Sequence, residues 1–422
     1  MKRSFFLAKT RTEDPANETA RNAKLLIRAG FIHKEMAGVY AYLPLGLRVL
    51  KKIENIIRQE MNTIGGQELM MTTLQDASLW EKSGRWDDEV LDIWFKTKLA
   101  NGQTLGIANT HEEPITNLLT HQLFSYKDLP VYVYQFQNKF RNELRAKSGI
   151  MRTREFLMKD LYSFNKTEDD FKEFYEKCAE AYNRIYQKVG IRDITYRTVA
   201  AGGSFTSGFT DEFQTISSAG EDIIYIDKNK KLAVNEEVYN EDTLKQYGLQ
   251  KADLVKEKAV EVGNIFPLGT KYAEAMGLLL TDEAGQSKPP IMGSYGIGLG
   301  RLLGTLAEVL SDDQGLVWPV SVAPFQVYLV GLNLDQAPVK EFAEEVYMEI
   351  TKAGLEVIYD DRQEAGAGDK LSDADLLGIP FRVVVSAKTL AENKVEFKKR
   401  TESENKLMDV KEVINYVIEN IK

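Results

Sequence analysis

The residues best equipped for chemistry are arginines, glutamates and aromatic rings gathered in two places. In F-R-N-E (140 to 143), Arg141 and Glu143 stand two apart, so on a strand both project from one face. After the basic loop R-A-K-S-G-I-M-R-T, residues Arg152, Arg154 and Phe156 return toward them. That face offers a cation for a carboxylate or phosphate, an acceptor for an exocyclic amine and a plane for a purine. Its purely structural counterpart is a surface ion-pair ladder beside one core phenylalanine. The second place is Y-G-I-G-L-G-R (295 to 301), where glycines that include Gly296 and Gly298 run into Arg301 ahead of an apolar helical stretch. A dinucleotide fingerprint fails at Arg301, and the Walker pattern is absent. What remains is a tight glycine turn ending in a cation at a helix start, suited to a phosphate, or else a glycine-packed helix start with Arg301 solvated.

Upstream, T-H-E-E-P (110 to 114) precedes the helical I-T-N-L-L-T-H-Q-L-F. Thr110 and Glu113 have capping-box spacing, which leaves Glu112 free for another task. No nucleophile and base pair, paired catalytic carboxylates or metal cluster stands out. An inventory of arginines, glutamates and aromatics suits reactions that need positioning and charge neutralisation, such as phosphoryl or nucleotidyl transfer.

These residues need elements to hold them. Leu47, Leu50, Ile53, Ile57 and Met61 recur three or four apart and predict an amphipathic helix whose start is fixed by Pro44 and Gly46. Residues 129–143 and 154–164 predict two strands joined by the basic loop, and 168–189 another helix. The stretch 227–258 turns highly charged and reads as a surface insertion outside the core. Pro319 and Pro324 mark a boundary, beyond which strands alternate with helices: F-Q-V-Y-L-V-G-L, a helix at 339–353, L-E-V-I-Y-D, a short helix at 373–377, F-R-V-V-V-S and a final helix. That order predicts a small α/β domain with a largely parallel sheet.

Composition narrows the function classes. A net charge of -9 gives no support to a broadly basic surface of the kind that coats duplex DNA. One cysteine, Cys178, and three histidines without ligand spacing argue against disulfides and protein-bound zinc. The N-terminal M-K-R-S-F-F-L-A-K-T is too short in apolar residues for a secretory signal, and no run reaches a membrane span, so we expect a soluble, cytoplasmic protein.

Taken together, these segments resemble the class II aminoacyl-tRNA synthetases, and within them the bacterial prolyl type over nearly the whole length. Y-L-P-L-G-L-R-V-L-K-K-I-E-N-I-I matches motif 1, with Pro44 at a homodimer interface; F-R-N-E with R-T-R-E-F-L-M-K-D matches motif 2; G-I-G-L-G-R matches motif 3. V-E-V-G-N-I-F-P-L-G-T-K-Y (260 to 272) and the stretch from D-D-R to L-L-G-I-P (360 to 380) add to the match. The resemblance implies an α+β catalytic domain over 1–318, an antiparallel sheet flanked by helices, and a small α/β anticodon-binding domain over 319–422. It implies activation of L-proline with ATP and Mg²⁺, then transfer to tRNA(Pro). Arg141 would bridge the amino-acid carboxylate and the α-phosphate, Glu143 would accept from adenine and Phe156 would stack on it. Arg152 and Arg301 would hold the triphosphate, with Gly298 beside it. Thr110, Glu112 and Asp160 would surround the amine, with Met158, Tyr162 and Ser294 shaping the pocket. Asp375, Arg382 and Lys388 would meet anticodon bases; for Arg382 a solvated strand-edge charge is the structural counterpart.

Three features depart from the family pattern. The segment 227–258 stands where many bacterial prolyl enzymes carry a large editing domain, so misactivated alanine would not be cleared in cis. Ser294 and Asn264 occupy positions where many relatives have cysteine and histidine, and the loop before Glu212 is long. The alternatives are a synthetase for another small amino acid, a non-catalytic synthetase-like tRNA-binding protein and, least supported by Arg301, a dinucleotide oxidoreductase.

Overall fold

The computed structural model describes residues 1–421 other than 17, 145, 204 and 207, so Arg145 of the basic loop and two serines of the loop before Glu212 lie outside the described residues. Among the described residues the fold falls into two compact units: Met1–Glu35, Tyr40–Ile53 and Leu306–Lys422 in one, Met36–Val39 and Glu54–Thr305 in the other.

The second unit is built on a nine-stranded sheet. Its strands are β1 (Gln67–Glu68), β2 (Val131–Phe140), β3 (Glu155–Asn165), β4 (Thr195–Ala201), β5 (Phe209–Ile216), β6 (Asp222–Asp227), β7 (Leu232–Asn235), β8 (Leu254–Gly269) and β9 (Ile291–Gly298). They run in the order β5-β4-β7-β6-β8-β9-β3-β2-β1, antiparallel except for the β1–β2 and β7–β4 pairs. The expected hairpin is β2–β3, and β9 pairs along the other side of β3. Alternation then decides the faces: Met158, Asp160 and Tyr162 lie opposite Gly298, Gly296 and Ser294 of β9. Residues of the other parity, among them Lys159 and Tyr295, meet the helix Glu168–Lys188, where Lys159 Nζ donates to Tyr182 Oη at 2.6 Å and Phe174 packs edge-on to Tyr295. A capping box at Thr167 and Asp170 starts that helix.

Two sequence expectations change here. Residues 295–298 are the end of strand β9, and the helix Leu299–Val309 begins directly after it, with none of Gly296, Gly298 and Gly300 at positive φ. There is no glycine turn, and Arg301 is the third residue of the helix, within its first turn. The charged segment 227–258 is not an appendage either. It supplies β7, and Val234, Val238, Leu244 and Leu249 pack with Val199 in a small core of their own. Few apolar residues suffice because these four point inward.

The first unit holds a five-stranded sheet formed by β10 (Val327–Gly331), β11 (Val357–Asp360), β12 (Phe381–Val385), β13 (Val395–Lys399) and β14 (Lys406–Met408), ordered β11-β10-β12-β13-β14. The β10–β11 and β10–β12 pairs are parallel, as expected, but β12–β13 and β13–β14 are antiparallel, so the sheet is half parallel. V-E-F-K-K alternates and forms β13 where the sequence reading ran straight to a final helix. The helices Ala337–Lys352 and Val410–Asn420 supply Val339, Val346, Val413 and Val417 to its core. The N-terminal residues belong to this unit: Lys2 forms a parallel bridge to Tyr359, Ser4 donates to the Asp361 carboxylate, and Phe31 stacks on Trp318.

Candidate active site

Where β2, β3, β8 and β9 run side by side, a cavity of about 370 Å³ opens on the sheet. Strand glycine makes the room. A Cβ at Gly296 would lie 2.5 Å from Met158 Cε and 2.8 Å from Asn264 Oδ1, so only hydrogen leaves the floor open beside Asp160. All twelve residues expected in the catalytic site line this one cavity: Thr110, Glu112, Arg141, Glu143, Arg152, Phe156, Met158, Asp160, Tyr162, Ser294, Gly298 and Arg301. They come from positions as far apart as 110 and 301: strand register aligns Phe156, Met158, Asp160, Tyr162, Ser294 and Gly298, and the loops and helix starts beside the strands bring the others.

Charge is arranged unevenly. Arg152 and Arg301 both extend into a smaller pocket lined by Glu221, Asp222 and Glu261. Arg152 is paired with Glu143 at 2.8 Å and Glu221 at 3.0 Å, and Arg301 with Glu261 at 2.9 Å. Arg301 Nε also donates to the Met151 carbonyl at 2.9 Å. Arg141 is different. Among the described residues it has no carboxylate partner, only the Asn109 carbonyl at 3.4 Å, and its guanidinium sits 5.2 Å from the Phe156 ring. Burial, and then the charge of Arg301, push its pKa down, so an incoming anion would relieve a real electrostatic cost.

The other end holds carboxylates. Thr110 Oγ1 donates to Glu112 Oε2 at 2.7 Å, Arg85 donates to the same oxygen at 3.3 Å, and Ser294 Oγ donates to Oε1 at 3.3 Å. Glu113 pairs with Arg85 at 3.1 Å and accepts from Ser83. The expected Thr110–Glu113 capping box is therefore wrong: the helix Glu112–Leu119 starts behind His111 with no side-chain cap, because buried Arg85 draws both glutamates inward. Glu112 is correspondingly not free. Asp160 accepts from Lys139, Gln135 and Tyr162, each at 2.9 Å. Burial pushes its carboxyl up, but Lys139 and His111 outweigh that and hold it low. Glu212 goes the other way: burial, then Glu261, raise it to about 8.

The sequence reading missed Arg85, His111, Lys139 and Glu261. A signal existed for one of them. In V-Y-V-Y-Q-F-Q-N-K-F the inward positions turn from Val133 to Gln135 and Lys139, polar residues where a core strand would continue apolar. Among the described residues no group of three or more His, Cys, Asp or Glu could hold a metal ion, and no helix is long and apolar enough to cross a membrane. In the other unit, Arg382 and Asp375 form a partly buried pair at 3.3 Å, so Arg382 is not a solvated edge charge. Lys388 is exposed on the helix Ala387–Ala391.

A sheet with an arginine-bearing hairpin, a glycine strand and an arginine at the following helix is the pattern of one enzyme class. The profile of the tRNA synthetase class II core domain (G, H, P, S and T) matches residues 95–310, and that of an anticodon binding domain matches 326–420. The chain is 38% identical over 404 residues to the proline–tRNA ligase of Rickettsia rickettsii (strain Sheila Smith), covering 92% of this chain and 93% of that one. It is 36% identical over 418 residues to that of Rickettsia akari (strain Hartford), covering 96% and 97%. A prolyl-tRNA synthetase from Cryptosporidium parvum, solved with halofuginone and AMPPNP, has the same fold, with a TM-score of 0.80 at 18% identity over 97% of this chain and 78% of that one. The chain belongs to the class II synthetases and, within them, to the proline–tRNA ligase family.

Proposed function

We propose that the chain activates L-proline with ATP and transfers it to tRNA(Pro). The observation that carries this reading is the polarity around Arg141: among the described residues it has no carboxylate partner, it interacts with both Arg301 and Glu112, and the carboxylates of Glu112 and Asp160 mark the other end of the cavity. A zwitterion fits that polarity. Its ammonium goes to Thr110, Glu112 and Asp160, its ring to Met158, Tyr162 and Ser294, and its carboxylate to Arg141.

In the first step a carboxylate oxygen of proline attacks the α-phosphorus of ATP and pyrophosphate leaves. Arg141 holds both reacting groups and stabilises the charge that builds on the phosphoryl oxygens. Phe156 gives adenine a plane and Glu143 an acceptor, while Arg152, Arg301 and the backbone at Gly298 hold the phosphate tail. Arg152 and Arg301 exchange their present carboxylates for phosphate oxygens as ATP enters. A magnesium ion arriving with ATP needs only one or two carboxylates beside phosphate and water; Glu212 and Glu261, which repel one another in the cavity wall, fit that need, and the ion would neutralise charge on the leaving pyrophosphate. In the second step the terminal ribose hydroxyl of tRNA attacks the carbonyl carbon and AMP leaves. No protein nucleophile is required for either step.

On this reading residues 1–318 serve catalysis and 319–422 anticodon recognition, with Asp375, Arg382 and Lys388 toward the bases, in a cytoplasmic homodimer joined around Pro44. Segment 227–258 is spent on β7 and its small core, which leaves no editing domain. Alanine is smaller than proline, and lost apolar contact discriminates only about 10- to 200-fold. The test is charging of a tRNA(Pro) transcript. Proline should be attached, alanine attached more slowly, and Ala-tRNA(Pro) should persist in the presence of the enzyme; charging by neither, or rapid deacylation of the alanyl product, would contradict the reading.

A further inference from the structure

Each of the two carboxylates at the amino-acid end has a buried cation behind it. Glu112 leans on Arg85, which it shares with Glu113. Asp160 leans on Lys139, which is fully buried and is not among the residues that line the cavity. The Lys139 ammonium lies 2.9 Å from Asp160 Oδ2 and 2.5 Å from Nδ1 of His111. The other ring nitrogen of His111 lies 3.0 Å from the Thr72 carbonyl oxygen, which can only accept, so the ring proton is on Nε2 and Nδ1 accepts from the lysine. Gln135 Nε2 and Tyr162 Oη bring two more donors to the same oxygen of Asp160. Oδ2 is thus saturated, while Oδ1 is buried and has no hydrogen-bond partner among the described residues. In a side chain that lines the cavity, that is an acceptor waiting for a donor.

We propose that Lys139 is a positioning residue for amino-acid capture: it holds Oδ2 so that Asp160 stays ionised with Oδ1 presented to the substrate ammonium. The proposal rests on the reading of the cavity as a proline site. The charged and titratable groups that face the pair are His111, Glu112, Arg141 and Tyr162, with Lys159 and Tyr182 acting on Asp160 from the other side of its strand. With Lys139 removed, a carboxyl this buried and close to Glu112 takes up a proton, and a neutral acid holds a cation poorly. A merely structural Lys139 would tie β2 and β3 to the segment before the helix at Glu112, and its loss would weaken every ligand alike.

Pyrophosphate exchange on the full chain separates the two roles. In Lys139→Met, KM for proline should rise about 10- to 100-fold, the factor for losing one charge-assisted contact, while KM for ATP stays within about twofold. Competition by tetrahydrofuran-2-carboxylate, in which ether oxygen replaces the ammonium, should not change. Lys139→Gln, which keeps a hydrogen bond and loses the charge, should show the same loss and serves if Lys139→Met does not fold. The double variant Lys139→Met/Asp160→Asn should be no worse for proline than Asp160→Asn alone. An unchanged KM for proline, parallel weakening of proline, ATP and the ether, or fully additive losses would overturn the proposal. A parent chain with no proline-dependent exchange would overturn the site reading beneath it, a result distinct from an active parent indifferent to Lys139.

Discussion

Burial, followed by the Lys139 ammonium, drives the His111 imidazole down to about 4, and Asp160 only partly offsets them. The unfolded chain takes a proton at this residue near pH 6.5, and the folded chain refuses it until about pH 4. Stability therefore falls as pH drops through that window, by an amount on the order of 3 kcal/mol. In His111→Gln the loss of stability between pH 6.5 and 4.5, followed by urea denaturation, should be smaller than in the parent; parallel curves would show that His111 does not titrate this way. The residue scale is also where the sequence was most and least readable. Arg141, Glu143, Arg152 and Phe156 were legible by residue type, but the expected strand face holds only for Phe156: β2 ends at Phe140 and β3 begins at Glu155, so the three charged residues project from the hairpin's loop ends. The partners of Glu113 were not: capping-box spacing is a local rule, and Arg85, nearly thirty residues away in sequence, overrides it with a buried charge that demands two carboxylates.

Strand β9 shows the same contest between local pattern and tertiary context at the level of an element. Its glycines were legible as special but not as strand, because a glycine run before a helix has the composition of a turn and only pairing with β3 and β8 makes it extended. What they provide is an open floor. In Gly296→Ala the new methyl meets Met158 Cε and Asn264 Oδ1, the mobile ends of two cavity-lining side chains, which can shift only at the expense of the cavity. We expect thermal stability to change by no more than about 1 kcal/mol and KM for proline to rise about tenfold. Loss of the fold with no change in proline affinity in the residual native protein would refute this account of the floor. Elements with few apolar residues were the hardest to place. β7 and β14 are only four and three residues long, and in the segment 227–258 the apolar residues are sparse, with Val234, Val238, Leu244 and Leu249 turned inward.

For the molecule as a whole, chain order gave two domains in series, whereas the compact units interleave: residues 1–35 group with 306–421. Nothing local in the first residues announces that Lys2 will pair with Tyr359. The catalytic reading survives that rearrangement because every residue it needs lies between 110 and 301 and lines one cavity. Its central claim is that this cavity joins proline to ATP through Arg141 and Arg301. The most direct test is ATP–pyrophosphate exchange by the purified chain with each amino acid in turn, repeated with Arg141→Ala and Arg301→Ala. The account predicts strong exchange with proline, weaker exchange with alanine, and a loss of about 100-fold or more in each variant without loss of fold. Exchange with another amino acid in preference to proline, no exchange at all, or full activity in the two variants would contradict it.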